Sequence, residues 1–455
     1  MDIRFKPYQP DQVLLLPPSL ADWLPADHLA YFVSDVIDQL DLSEIERSYE
    51  TDRRGQPAYH PHMMTKLLIY AYCVGAPSSR KIEARTYEDV AFRVLAAGAH
   101  PDHDTISEFR RRHQTALSRL FIQVLLLCER AGLVKLGHVA LDGTKVKANA
   151  SKHKAMSYGR MCEKEKELAR QVEELLRRAE EVDEEEDRRY GKGKRGDELP
   201  EELRFRESRL KKIREAKEAL EREAREEAQA EAEGKIDEQG KPVKRKRSRK
   251  SKQLPGVPKR SDQRNFTDPE SRIMKDSTTK GFVQGYNCQA AVDSKSQVIV
   301  AADVTNEAND KRQVKVMVEE IKGNLGRKPK ELSADSGYYS EKNVKYLEGE
   351  EVDVFIAVGK MKHTDKEASA PRGRIPKGLS VKERMERKLR TKRGKKKYGL
   401  RKEVAEPVFG QVKGVRGFRQ FLLRGLEDVG CEWRLICMGH NILKLFRSGY
   451  VLTTG

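Results

Sequence analysis

The stretch HVALDGTKVKA, residues 138–148, decides the fold. Val139, Ala140 and Leu141 form a short apolar run, Asp142 and Gly143 interrupt it, and Thr144 and Val146 restore β-forming character, which reads as a strand. Four more such runs follow: GYNCQAAVD at 285–293, SQVIVAADV at 296–304, KELSADSGY at 330–338 and VDVFIAVGK at 352–360. Between the third and fourth, Asp310 to Leu325 switches to helical spacing through Val314, Met317, Val318 and Ile321, and the chain turns helical again beyond Val404. Three strands, a helix, a strand, a helix-capable segment, a strand and a terminal helix predict a mixed α/β sheet. The terminal helix, CEWRLICMGHNILKLF, places Trp433, Leu435, Ile436, Met438 and Ile442 at core spacing.

Upstream of residue 138 the reading is helical throughout. Leu29, Phe32, Val33, Val36, Ile37 and Leu40 make one buried face, with Asp27 as the candidate N-cap. A second apolar stretch runs from Met63 to Val74, and a third from Ser78 and Ser79 to Gly98. Thr105 and Glu108 have the spacing of a capping box opening a helix that reaches Gly132. Arg110, Arg111, Arg112 and His113 then stand where a recognition helix presents groups to phosphates and base edges. A helical bundle with a solvated basic face accounts for the same pattern.

Charge narrows the class of partner. Of 455 residues 36% are charged and only 37% are hydrophobic, so part of the chain is not packed core. Residues 163–234 hold 25 acidic and 19 basic side chains, a net of −6, and read as a long solvated helix or helical hairpin broken near Tyr190 to Pro200. The rest of the chain therefore carries +24 of the overall +18. That excess concentrates in KPVKRKRSRKSK at 241–252, with eight basic residues in twelve, and in Arg372 to Lys402, with fifteen against two glutamates. Such segments point to a polyanion, with nucleic acid first. The six cysteines lack CxxC or Cys/His spacing, which argues against a disulfide framework and a structural zinc and fits a reducing cytoplasm. The longest apolar runs fall well short of the roughly 20 residues that span a bilayer, and the first residues lack a signal-peptide core, so no membrane or export route is expected.

Three acids stand out on this pattern. Asp142 lies in the first strand, Asp335 ends the fourth, and Glu406 sits in YGLRKEVAEPVFGQVKG with Pro407 at the first position of a helix. An acid at the end of an apolar strand is costly without a cation or strong donor. Each alone is a turn or helix-start residue; together they offer the oxygen ligands that two divalent ions need for phosphodiester chemistry. Tyr398, Arg401 and Lys413 are candidates to orient or neutralise a phosphate, with Lys413 two helical turns from Glu406. Asp293, Asp303 and Asp310 read as turn or edge residues.

The segments DGTKVKAN (142–149), TDPESRIM (267–274), GYNCQAAVD, ADSGYYS (334–340) and, above all, Tyr398-x2-Arg401-x4-Glu406-Pro-Val-Phe-Gly-x2-Lys413 resemble bacterial insertion-sequence transposases of the DDE type. The helical stretch from YHPHMMTKLLIYAYCVG (59–75) to DHDTISEFRRRH (102–113) is similar to the domain that precedes their catalytic core. The resemblance implies a ribonuclease H-like mixed sheet with an N-terminal all-α domain and a long charged helical insertion. The divisions would be 1–135 for a DNA-binding domain, 136–150 with 265–450 for the catalytic core, and 151–264 for the insertion and basic linker. It further implies Asp142, Asp335 and Glu406 as the catalytic, metal-holding triad for two Mg²⁺ or Mn²⁺ ions. Tyr398, Arg401 and Lys413 match the family's Y-R-E-K signature, and Arg110, Arg111 and Arg112 become DNA contacts. Four residues separate Arg401 from Glu406 where the usual signature has three, so Glu403 stays a second candidate for the third acid. Expected partners are element terminal repeats and target DNA, bound by a homodimer in the cytoplasm at the nucleoid. A transposase-derived DNA-binding protein that does not cut, and a nuclease that hydrolyses without strand transfer, are the competing readings.

Overall fold

The computed structural model describes residues 19–49, 57–190, 201–233, 256–275, 281–359, 371, 373, 376 and 378–452. The basic stretch 241–252 lies outside them, as does part of 372–379.

Six helices open the chain: α1 (Leu29–Asp38), α2 (Ser43–Arg47), α3 (Pro61–Val74), α4 (Ser79–Glu88), α5 (Val90–Leu95) and α6 (His103–Arg130). Two of their starts differ from the sequence reading. His28, not Asp27, caps α1 by accepting from the Ala30 amide. Asp102 caps α6, accepting from the Thr105 amide at 2.8 Å and from its hydroxyl at 2.8 Å, so Thr105 is inside the helix and the Thr105/Glu108 capping box does not form. An aspartate three residues earlier satisfies the same free amide, and its charge favours the helix N-terminus.

The sheet follows, with β1 (His138–Lys147), β2 (Ala155–Ser157), β3 (Gln263–Asn265), β4 (Arg272–Lys275), β5 (Phe282–Asp293), β6 (Ile299–Thr305), β7 (Glu331–Ala334) and β8 (Asp353–Ile356). The five predicted strands appear as β1, β5, β6, β7 and β8; β4 and the small β2–β3 pair are additions. In the main sheet β5 lies antiparallel to β1, while β7 runs parallel to β1 and β8 parallel to β7. The strands β4 and β6 both pair with β5. Parallel neighbours need a crossover, and α9 (Gln313–Leu325) and α10 (Glu341–Gly349) supply them.

The charged insertion forms two helices, α7 (Tyr158–Tyr190) and α8 (Glu201–Glu233). They pair antiparallel: Tyr158 donates to Glu221 at 2.7 Å, while Glu165 meets Arg214 at 3.1 Å and Lys217 at 2.8 Å. Met161, Leu168, Leu210, Ile213 and Leu220 form a small core between them, separate from the main one. Arg264 of β3 and Arg272 of β4 grip Glu223 at 2.5 and 3.0 Å, tying the hairpin to the sheet.

Three helices close the chain: α11 (Val381–Arg390), α12 (Lys392–Gly410) and α13 (Leu426–Arg447), with a turn of π-helix, Gln411–Val415, between the last two. Thus Pro407 is inside α12 rather than at a helix start, and Glu406 lies in the helix's last turns. Helix α13 is sandwiched between the sheet and the N-terminal helices. Trp433, fully buried, donates from Nε1 to the Gln289 carbonyl of β5 at 2.9 Å. Asn441 brackets Ile299 of β6, accepting from its amide at 2.9 Å and donating to its carbonyl at 2.8 Å. One continuous apolar core therefore runs from α1 through the sheet to α13.

Candidate active site

The register of the parallel strands places two of the three acids. Leu141 of β1 pairs with Ala334 of β7, the last residue of that strand, so Asp142 and Asp335 are the next residues along two adjacent chains. In sheets of this kind the crevice beyond the carboxyl ends of parallel strands is the usual place for a site. Asp335 caps the 3₁₀ turn Ser336–Tyr338, accepting from the Gly337 amide at 2.8 Å. Asp142 accepts from its neighbour's amide, Gly143 N, at 2.9 Å. A side chain at Gly143 would come within 2.7 Å of Gln289 Nε2 and 3.1 Å of Asn287 Oδ1, so the glycine leaves room for the amides of β5 beside Asp142.

Helix α12 brings the third acid and its partners. Arg401 is the hinge of the arrangement: Nη1 meets Asp142 Oδ2 at 3.0 Å, and Nη2 lies 3.9 Å from Glu406 Oε1. Its guanidinium also stands 5.9 Å from the Tyr398 ring centre. Burial pushes the Asp142 carboxyl up to about 6; Arg401 and the Gly143 amide oppose that rise, while Asp335 and Glu406 add to it. The strand thus buries a carboxylate whose present partners do not fully compensate its charge. Burial likewise raises the Tyr398 hydroxyl, with Arg401 countering. Glu406 itself is half exposed. Glu403, the second candidate, is exposed, and its backbone carbonyl accepts from Gln297 in the β5–β6 turn at 2.9 Å. Lys413, in the π-helical turn, reaches under β1 and donates to the Lys145 carbonyl at 2.5 Å.

Around this centre lie side chains that the sequence reading placed elsewhere or passed over. Asp310, read as a turn residue, accepts from Asn287 at 2.6 Å and Gln289 at 2.9 Å on β5, with Lys145 Nζ at 3.7 Å. The Tyr338 hydroxyl donates to Gln289. The available signal was Asn287 and Gln289 themselves: two amides on one face of an otherwise apolar strand require buried polar partners.

The three consecutive arginines of α6 separate. Arg110 is buried and donates to the Pro77 carbonyl at 2.9 Å, which removes it from any surface DNA can touch. Arg112 donates to the Ser48 carbonyl at 2.7 Å and lies over the Tyr49 ring. Arg111 is exposed and pairs with Glu108. The cause is helical geometry, since three consecutive residues point in three directions about 100° apart. Of the second basic segment, Lys382 to Lys402 forms α11 and α12, where Arg393 and Lys397 pair with Glu331 at 2.8 and 2.5 Å.

The donor set, oxygen only, fits a hard divalent cation. As arranged, no three His, Cys, Asp or Glu side chains among the described residues converge on one point. No helix among the described residues is long and apolar enough to cross a membrane.

Residues 261–442 match the family described as Transposase DDE domain, and residues 18–112 match Transposase domain (DUF772). Neither a curated protein nor a solved structure matches the chain. The two matches support a transposase function, and the DDE family implies DNA as substrate and, in general, divalent metal ions.

Proposed function

We propose that this chain is a DNA transposase that cleaves phosphodiester bonds at the ends of its element and joins the freed 3′ hydroxyls directly to target DNA. The observation that carries the reading is the register placing Asp142, within β1, level with Asp335, just past the end of the parallel strand β7, with Arg401 of α12 reaching both Asp142 and Glu406. A sheet in which β5, β1, β7 and β8 lie in that order, antiparallel once and then parallel, supports a ribonuclease H-like core. In this reading Asp142, Asp335 and Glu406 hold two Mg²⁺ or Mn²⁺ ions. Such ions, when bound, lower the pKa of an attacking hydroxyl and stabilise the leaving oxygen.

The chain's own residues do the rest. Arg401 pairs with Asp142 at 3.0 Å and reaches Glu406 at 3.9 Å, so one cation offsets part of the repulsion between the acids that would hold the ions. Tyr398 lies beside Arg401, its ring centre 5.9 Å from the guanidinium. The exposed cations of α11 and α12 offer phosphate contacts that give affinity without sequence preference. Sequence recognition falls to the helices within 1–135, where Arg111 and Arg112 are the exposed members of their trio. The core comprises 136–150 and 265–450, and the insertion 151–264. Two ends must be cut together, so a homodimer on DNA is the working state proposed.

The test incubates the full chain with a labelled element end, target DNA and Mg²⁺. Nicked ends and joined products are expected. Asp142→Asn, Asp335→Asn and Glu406→Gln should each reduce cleavage by at least roughly 10³-fold, on the scale of losing a group needed in the transition state, while end binding persists. Binding without nicking by the wild type would sink the reading in favour of a DNA-binding protein, and nicks without joining would leave a nuclease. Loss of cleavage in Glu403→Gln but not Glu406→Gln would reassign the third acid.

A further inference from the structure

We propose that Asp310 is a positioning residue for Asp335, acting through the turn that carries it. The proposal rests on the reading of Asp335 as a metal-holding acid. Asp310 opens the short 3₁₀ turn Asp310–Arg312, ahead of α9, and this turn abuts the one formed by Ser336–Tyr338. One Asp310 oxygen is fixed from β5 by Asn287 Nδ2 at 2.6 Å and Gln289 Nε2 at 2.9 Å, both residues fully buried. Lys145, three residues beyond Asp142 on β1, supplies countercharge at 3.7 Å and donates to the Ala308 carbonyl at 3.3 Å.

The other Asp310 oxygen faces Gly337. A side chain at Gly337 would lie 3.1 Å from Asp310 Oδ2 and 3.0 Å from Asp335 Oδ1, so the two carboxylates flank the backbone of the acid-bearing turn. Three further bonds close the frame. Tyr338 donates its hydroxyl to Gln289, the same side chain that holds Asp310. Asn343 of α10 donates to the Tyr338 carbonyl at 2.8 Å and to the Lys311 carbonyl at 2.7 Å, joining the two turns from the other side. Asp335 sits at the free end of a four-residue strand, where little else restrains it. A ligand-bearing side chain must be held within about 0.5 Å to work, and packing plus outer hydrogen bonds are the means. The Asn287–Gln289–Asp310–Tyr338 frame meets that need, linking β5 to the tip of β7 across β1.

Two measurements on the full-length chain decide this. Hydrogen exchange in the metal-free protein reads the frame alone: Asp310→Ala should accelerate exchange at Gly337 to Tyr339 and leave α13 and β6 unchanged. Cleavage of an element end as a function of Mg²⁺, with Mn²⁺ binding followed by electron paramagnetic resonance, reads the consequence. Asp310→Ala should weaken Mn²⁺ binding and raise the half-saturating Mg²⁺ by roughly 10- to 100-fold, the range for losing an outer partner of a metal ligand. End binding should stay within about twofold of the wild type, a change of under roughly 0.5 kcal/mol. Asp310→Asn, which keeps an acceptor for Asn287 and Gln289, should recover most of the loss, and Gly337→Ala, which crowds the turn from the other side, should reproduce it. Unchanged exchange at the turn overturns the proposal whatever the catalytic result, as does faster exchange with unaltered metal dependence. A wild type that neither binds Mn²⁺ nor cleaves overturns the transposase reading and the catalytic half of this one, while the exchange result still decides whether Asp310 braces the turn.

Discussion

Arg401 and Asp142 are both largely buried, so neither tolerates loss of the other. Removing one member of a buried ion pair leaves an uncompensated charge, at a cost of about 3 kcal/mol or more. Arg401→Met should therefore destabilise the metal-free protein by about 3 kcal/mol, and adding Asp142→Asn should recover most of it; urea denaturation of the single and double variants measures the coupling. A second buried acid gives a pH signature. Burial pushes the Glu320 carboxyl up to about 7, Arg434 opposes and Asp303 adds to the rise. Because the folded value lies above the unfolded one, this group costs stability as pH rises from about 4.5 to 7, and the full cost is present above 7. Glu320→Gln should stabilise the fold at pH 8 by up to about 3 kcal/mol and leave it unchanged at pH 4, as thermal melts at the two pH values would show. A constant difference across pH would assign the effect to packing instead. Neither partner pair is visible in the sequence: Glu320 and Arg434 are 114 positions apart, Asp142 and Arg401 259. What the sequence did expose was Asp142 itself, because an acid in an apolar strand is anomalous at its own position.

At the scale of elements, the charged hairpin is legible in composition and its independence is not. Ile213 is buried among Met161, Leu168, Leu210 and Leu220, a cluster that shares no member with the main core. Ile213→Ala should cost about 2–4 kcal/mol, as a large-to-small core change does, and the loss should be local. Hydrogen exchange should rise in α7 and α8 while β1 and β5 keep their protection; equal loosening of the sheet would show that the hairpin folds only with the core. The five predicted strands begin within three residues of their observed starts, and most helix spans followed from periodicity, since each period reports its own backbone geometry. Caps failed where two candidates competed within three residues, as Asp102 and Thr105 did. Pro407 misled because a proline is usually a helix boundary, whereas α12 continues through it into a π-helical turn.

For the whole molecule, the N-terminal helices and the mixed sheet are not separable blocks. Arg416, buried beyond the π-helical turn, donates to the Ile436 carbonyl at 3.0 Å and the Tyr72 carbonyl at 3.4 Å, stitching α3 to α13. Gln114 of α6 donates to Asp428 at the start of α13. A chain beginning at residue 136 should therefore expose the apolar face of α13, bind a hydrophobic dye strongly and aggregate, because an uncovered patch of that size behaves as an interface. A monodisperse, dye-silent fragment would show that the helical region is a removable module.

The sequence by itself determined the order of helices and strands, the solvated insertion, the excess of basic charge and the three acids worth naming, because each is a property of a position or a local period. Only the tertiary structure decided that Asp142 and Asp335 stand level on parallel strands, that Arg401 binds acids rather than standing free, that Arg110 is interior, and that Asp310 meets Asn287 and Gln289 from a distant turn. Those facts depend on register, helix phase and the packing of segments far apart in the chain, where a shift of one residue turns a side chain from the site to the core.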